Sequence, residues 1–300
     1  MQGTKPRTVN SIGMFDLLKG TGMITIVLAH TAELYPLQLS GGLSLTAFFP
    51  FIYREALMAA FYIASGYGFR KRSVSKCVKQ QCKSLLKPYL YTALFTSVLH
   101  LIVHYSCFHY LPGSLFETYK VAGGFVLGLP HTASYFGQEF FSAGPMWYLL
   151  ALLVGWVLLD AILNIFPEKY THWAVLGVML LGWATTLVWE LPFCLAQGAV
   201  VVPYLYIGYL AKQNRWLDKP LSRRAKWVLL GGTALTAVGA MLTRSTDCIS
   251  MGEWTIGPLS ILLDGMTGFL FIKLFVKLNR FTGPGGQCLE GIGRQSLNIF

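Results

Sequence analysis

Apolar segments long enough to cross a membrane recur along the whole chain. A helix needs about 17–25 apolar residues to span hydrocarbon, and hydropathy predicts about eight spans here, several of them shorter than this. The spans lie at 15–34, 56–69, 85–105, 145–166, 173–189, 200–210, 227–242 and 258–275, and a ninth begins at Ser296. No segment shows the alternation over about ten residues that a barrel strand requires. The pattern predicts an all-α, polytopic transmembrane helix bundle, without strands, in a single integral membrane domain over residues 1–300.

Basic residues orient the predicted bundle, because Lys and Arg accumulate in short cytoplasmic loops. If each span crosses once, four basic groups fall on one side, namely 5–7, 70–87, 212–226 and 273–280. The N-terminus is therefore predicted to be cytoplasmic, in a multi-pass protein of the cell membrane. The other side receives the segments 41–50, 106–144, 190–197 and 244–257. Within them, VAGGFVLGLP (121–130) is too short to span and is predicted to be re-entrant or interfacial.

Composition agrees with a membrane protein. Hydrophobic residues make up 54% of the 300 residues and charged residues 12%, against about 25% in an ordinary soluble domain. Because the apolar segments recur along the chain, a cleaved signal peptide does not explain the first one. The basic loops account for most of the formal charge of +11, which predicts contact with anionic membrane lipids and no binding of nucleic acid.

Cysteine and histidine spacing does not predict a metal site. The six cysteines lack zinc or redox spacing, and a disulfide among Cys107, Cys194 and Cys248 is chemically allowed on the outer side. His100 and His104 are four residues apart and could form a two-ligand face, but no third ligand is evident. Polar packing is therefore the favoured interpretation of this pair.

The first predicted span carries polar groups on one face. Lys19 and His30 are eleven residues apart, which returns a helix to nearly the same azimuth and separates them by roughly 16 Å. Asp16 and Glu33 fall within about 60° and 40° of Lys19. Ionisable groups inside a membrane indicate a functional cavity or a pairing within the bundle. Alternatively, Lys19 snorkels to the interface, Asp16 caps the helix and Glu33 lies at the outer boundary.

Several motifs together resemble the membrane-bound acyltransferase 3 family. FDLLKGTGMITIVLAH (15–30) is similar to its first-span signature, in which a basic residue is followed by ten others and then His. Further segments resemble family elements in the same order: MAAFYIASGYGFRKR (58–72), LLKPYL (85–90), GPMWYLLALL (144–153), VVPYLYIGYL (201–210) and LEGIGRQSLNIF (289–300). The family has about ten spans, so ending at Phe300 is expected to reflect a chain truncated at its C-terminal end.

The resemblance implies transfer of an acyl group, usually acetyl, from cytosolic acyl-CoA to a hydroxyl of an envelope carbohydrate. His30 would be the general base and Glu33 its orienting carboxylate. Lys19, Lys83 and Lys87 are candidate contacts of the CoA phosphates, although the Arg-x-x-Arg pair of many members is replaced here by KQQCKSLLKP (79–88). Arg54, Glu55 and Trp147 are candidate acceptor contacts. No metal is predicted.

Two other classes remain open. A transporter or exporter without acyl transfer would also place charges on one helical face, but no internal repeat relates the two halves of the chain. A purely structural membrane subunit would explain the apolar spans without explaining the polar stripe.

Overall fold

A computed structural model describes residues 13–34, 57–243, 245–279 and 283–295. For residues 32–34 and Pro284 it describes the backbone only. The described part is mostly helical. Its helices are α1 Asp16–Leu34, α2 Met58–Gly68, α3 Val74–Gln81, α4 Lys87–Phe108, α5 Leu111–Leu127, α6 Trp147–Ile165, α7 Glu168–Thr186, α8 Leu195–Val200, α9 Val202–Gln213, α10 Arg223–Thr243, α11 Pro258–Leu278 and α12 Pro284–Arg294. A π-helical turn, Cys82–Leu86, joins α3 to α4, and short 3-10 turns cover Gly144–Met146 and Pro192–Cys194.

Four helical segments among the described residues are long and apolar enough to cross a membrane. They are Val74–Phe108, Gly144–Ile165, Arg223–Thr243 and Pro258–Leu278, and a fifth is possible if Pro192–Val200 and Val202–Gln213 form one broken span. The predicted count of about eight is therefore not confirmed. α2 and α9 have only 11 and 12 residues, which is shorter than a full crossing. The predicted ninth span at Ser296 lies outside the described residues.

The chain divides into two compact units. Unit 1 consists of the chain up to Phe69, Pro203–Cys248 and the chain from Glu253 onward, and unit 2 consists of Arg70–Val202 and Ile249–Gly252.

In unit 1, α1 packs along α12 and runs antiparallel to α2. Phe15 meets Tyr67 edge-on at 5.5 Å between ring centroids, and a Cβ at Gly22 would overlap the ring of Phe61. α2 also contacts α9 and α11 where small residues let the backbones approach: a Cβ at Gly66 would overlap Leu205. Close approach at small residues is how membrane helices gain packing contacts in the absence of a hydrophobic force between them.

In unit 2, α4 and α5 form an antiparallel hairpin. His104 Nδ1 lies 2.9 Å from Ser114 Oγ near the turn, and the Tyr89 hydroxyl donates to the Phe125 carbonyl at 2.6 Å near the other end. His100 Nδ1 lies 3.0 Å from Thr118 Oγ1, so the polar-packing interpretation of the two histidines is confirmed. The outer surface of α4 is exposed and apolar, as expected of a surface that faces lipid.

Two predictions about this stretch are wrong. Residues 106–144, predicted as a single segment on the outer side, instead contain the helix α5, which runs back along α4 as far as Tyr89. The prediction of no strands fails at a short hairpin, β1 Ala133–Tyr135 and β2 Gln138–Phe140, whose turn residues Phe136 and Gly137 have φ of 52° and 74°. A two-residue turn with positive φ matches the twist of a hairpin, and three-residue strands are too short for their alternation to be recognised in sequence.

The six cysteines, all within the described residues, form no disulfide with one another.

Candidate functional site

One continuous helix carries both Lys19 and His30. α1 runs unbroken from Asp16 to Leu34, so the eleven-residue spacing corresponds to about three turns and roughly 16 Å along the axis. The hydroxyl of Thr25 donates to the Thr21 carbonyl at 3.0 Å, and that of Thr31 donates to the Val27 carbonyl at 2.8 Å. These hydroxyls are thereby satisfied within the helix, which an apolar environment requires. The predicted helical placement of Lys19 and His30 is confirmed.

The polar groups of α1 become more exposed along the helix. Asp16 is buried, Lys19 is half-buried and His30 is exposed. Leu18, on the opposite side of the wheel from Asp16, is fully buried. Glu33 lies in the last turn of α1, and its side chain is outside the described residues. His30 therefore lies at the surface of the described residues.

Asp16 has a structural partner that the sequence prediction missed. The Arg294 guanidinium lies 3.4 Å from the Asp16 carboxylate and 3.7 Å from that of Glu290, so one cation joins the start of α1 to α12. The Asn279 side chain adds a hydrogen bond of 3.2 Å to the Met14 carbonyl. The available sequence signal was the i, i+4 spacing of Glu290 and Arg294, which stabilises a helix. The Asp16 carboxylate thus connects the start of α1 to α12, in addition to any role as a helix cap.

A basic groove lies on the surface of unit 2. Lys76, Lys79 and Lys83 line it together with Gln80 and Ser84, around a volume of about 610 Å³. The lysines follow one another at i, i+3 and i+7, which places them on one side of a helix. Lys87, four residues after Lys83, does not line the groove, and its ammonium lies 5.7 Å from the ring centre of Tyr91. Of the two lysines predicted here as phosphate contacts, Lys83 therefore joins a cluster and Lys87 does not.

The segment that leads into this groove is held by two side chains of α6. The Arg72 amide donates to the Asp160 carboxylate at 2.9 Å, and the Asn164 side-chain amide donates to the Arg72 carbonyl at 2.6 Å. Asp160 is fully buried. This anchoring fixes where α3 begins and therefore where its lysines lie.

The predicted acceptor contacts are only partly within the described residues. Arg54 and Glu55 lie outside them. Trp147 is the first residue of α6 and is 7% exposed. Most of its indole surface is therefore used in packing within unit 2.

A half-buried polar cluster in unit 2 was not predicted. His131 Nδ1 donates to the Ser250 carbonyl at 2.9 Å, and its Nε2 lies 3.6 Å from the Glu190 carboxylate. Gln197 donates to the other carboxylate oxygen of Glu190 at 3.2 Å, and the Tyr135 hydroxyl donates to the Glu190 carbonyl. Both ring nitrogens of His131 are engaged, so this histidine lacks the unoccupied nitrogen that a general base needs.

Burial has the largest effect on the pKa of Glu190 in that cluster. It raises the pKa of the Glu190 carboxyl above its ordinary value, and His131 and the hydrogen bond from Gln197 lower it by less. Because a carbonyl only accepts, His131 Nδ1 carries a hydrogen. The contact between Nε2 and the carboxylate then needs one further proton, held by either partner. The cluster therefore connects three loops through the hydrogen bonds of His131, Tyr135 and Gln197 and one contact between His131 and the Glu190 carboxylate.

No group of three or more His, Cys, Asp or Glu residues in the described part of the chain is arranged to hold a metal ion. Comparison with protein families gives one finding: a family model described as an acyltransferase domain matches residues 12–300. The match spans both units and every helix described above. No curated protein and no solved structure matches the chain.

Proposed function

This chain belongs to the acyltransferase 3 family, and we propose that it transfers an acyl group, acetyl in this proposal, from cytosolic acyl-CoA to a hydroxyl of a cell-envelope carbohydrate. The protein would lie in the cell membrane with its N-terminus in the cytoplasm. The observation that carries the proposal is the unbroken helix α1, which places an exposed His30 three turns away from Lys19 within an acyltransferase domain.

His30 is the proposed general base. As the acceptor hydroxyl oxygen attacks the thioester carbonyl carbon, the imidazole takes the hydroxyl proton and a C–O bond forms. The tetrahedral intermediate then collapses, the C–S bond breaks, and the CoA sulfur leaves and takes the proton from the imidazolium. A base placed in this way is typically worth about 10²- to 10⁴-fold in rate. Glu33, three residues further along α1, is the proposed orienting carboxylate.

Lys19, Lys83 and Lys87 are the proposed contacts of the CoA phosphates. An ammonium suits phosphate as a point charge that imposes no bidentate geometry. Of these three proposed contacts, Lys83 has the strongest support, because Lys76 and Lys79 line the same groove and add two further positive charges. Arg54, Glu55 and the small exposed part of Trp147 are the proposed acceptor contacts.

The groove lysines provide a test of donor binding. Changing Lys76, Lys79 and Lys83 together to Gln should raise KM for acetyl-CoA about tenfold or more, because hydrogen bonds to charged groups are worth about 1.5–3 kcal/mol. Steady-state kinetics of the purified protein measures this change. Lys169→Gln removes an exposed lysine of the same unit and serves as the control. An unchanged KM in the triple variant would remove the groove from the donor site.

The acceptor class is tested in cells. Mass spectrometry of envelope glycans should show a mass gain of one acetyl group when the wild-type chain is expressed, and no gain with His30→Ala at the same level in the membrane. A mass gain that persists with His30→Ala would remove His30 from the mechanism, whereas no gain with either chain would exclude these glycans as the acceptor.

A further inference from the structure

An apolar groove of about 360 Å³ opens on the surface of unit 1. It lies among α10, α11 and the loop between α9 and α10. Its wall includes Trp216, Leu221, Val228, Leu229, Met266 and Phe269, and it contains no charged side chain. Both α10 and α11 are candidate membrane spans, so the groove faces hydrocarbon if they cross a membrane.

The groove is preformed by its loop and by a glycine. Lys273 donates to the carbonyls of Trp216 at 2.8 Å and Lys219 at 2.6 Å, which ties the loop to α11. The rings of Trp216 and Phe269 meet edge-on at 6.1 Å between centroids. Gly265 also lines the groove, and a Cβ at this position would lie 3.2 Å from the side chain of Ile207, another lining residue.

Two exposed cations lie next in sequence to the first α10 residue of the groove wall. Ala225 lines the groove in the first turn of α10, and Arg224 and Lys226 flank it in sequence. At about 100° per residue, these two side chains leave the helix on either side of Ala225, whereas Arg223 leaves about 160° away, on the far face. Arg224 and Lys226 are exposed, and neither forms an ion pair with another described residue.

We propose that this groove binds an anionic glycerophospholipid. One acyl chain lies against the apolar wall, and the phosphate lies at the end where Arg224 and Lys226 project. Apolar walls alone would accept any lipid tail, so the two cations determine the headgroup. Basic pockets between membrane helices are a recognised way of holding anionic headgroups. The proposed site is independent of the proposed acyl transfer, because it uses none of the residues assigned to that reaction.

Native mass spectrometry of the detergent-purified full chain tests the site. Phosphatidylglycerol should bind more tightly than phosphatidylcholine, and changing Arg224 and Lys226 together to Gln should lower its affinity about tenfold or more. Arg223→Gln removes a neighbouring charge from the far face and should leave the affinity unchanged. Equal binding of the two lipids by the wild-type chain would overturn the proposal, as would an equal loss in the Arg223 variant.

A second pair of variants tests the apolar wall. Ala225→Phe fills the groove while both cations remain, and it should lower the affinity for phosphatidylglycerol about tenfold. Val238→Phe adds the same ring at a position of α10 that is 49% exposed and outside the groove, so it should bind like the wild type. Tight binding by a correctly folded Ala225→Phe chain would show that the lipid lies elsewhere.

Discussion

Individual residues show how environment changes the role of a side chain. Asp16, Lys19 and His30 share one helix, yet Asp16 is committed to Arg294 while His30 is exposed. Sequence spacing predicts that they lie on one helix, because 3.6 residues per turn is a local property. It cannot predict that Asp16 pairs with a residue 278 positions later in the chain, since that contact depends on how α12 packs. The same holds for His131, whose partners come from two distant loops.

The contact between His131 and Glu190 predicts a dependence on pH. Burial raises the pKa of Glu190 in the folded chain, so the folded state holds protons more tightly than the unfolded state and loses stability as pH rises. When Glu190 is ionised and Nε2 of His131 carries no hydrogen, a nitrogen lone pair faces a carboxylate. Cys194 is close in sequence to Glu190, and Gly128 is close to His131. The buried Cys194 thiol donates a hydrogen bond of 3.1 Å to the Gly128 carbonyl, so exposure of this thiol reports on separation of the two segments.

Labelling of Cys194 by maleimide, followed by peptide mass spectrometry, measures that opening. From about pH 5, just above the ordinary glutamate pKa of 4.5, to about pH 8, labelling relative to the exposed Cys288 should rise about tenfold more in the wild type than in Glu190→Gln. The Gln side chain can donate to His131 without titrating. Glu117→Gln, which removes the partner of Lys120 in α5, should behave like the wild type. Parallel pH profiles in the wild type and Glu190→Gln would contradict this account.

At the scale of elements, long helices follow from the sequence and short or amphipathic ones do not. α6, α10 and α11 lie close to the predicted spans because each is long and apolar. α1 also coincides with its predicted span, although its charged residues keep it out of the four segments that are apolar enough to cross a membrane. α12 was missed because its glycines weaken the helical signal and its single apolar side does not reach spanning length. Glycines on both helices allow α12 to pack closely on α1. A Cβ at Gly293 of α12 would overlap the Asp16 carbonyl, and a Cβ at Gly20 of α1 would overlap the Leu289 carbonyl.

Two glycines of α12 make a matched pair for testing that contact. Gly293→Ala should destabilise the protein by about 1–3 kcal/mol, because the new methyl meets backbone that cannot move aside easily. Gly291→Ala adds the same methyl where nothing lies within 4 Å, so it should be neutral or slightly stabilising. Chemical denaturation in detergent measures both changes. Equal stability of the two variants would show that α1 and α12 do not approach as described.

At the scale of the whole molecule, the family match extends over both units. It includes sequence motifs that would each, taken alone, be weak evidence for the family. Sequence motifs predicted the family because their order along the chain is preserved. Sequence did not predict the basic groove as a unit, because the contribution of Lys76 and Lys79 depends on how Asp160 and Asn164 anchor the preceding segment. It also could not predict the apolar groove, which exists only where a loop folds back onto α11.

The central claim is that this chain moves an acyl group from acyl-CoA with His30 as the base. The most direct measurement is transfer of radiolabelled acetyl from acetyl-CoA to carbohydrate extracted from envelopes that lack the protein, catalysed by purified protein in detergent. The account predicts transfer by the wild type and by Thr31→Ala, and a loss of about 10²-fold or more in His30→Gln. Transfer by His30→Gln at the wild-type rate would contradict it.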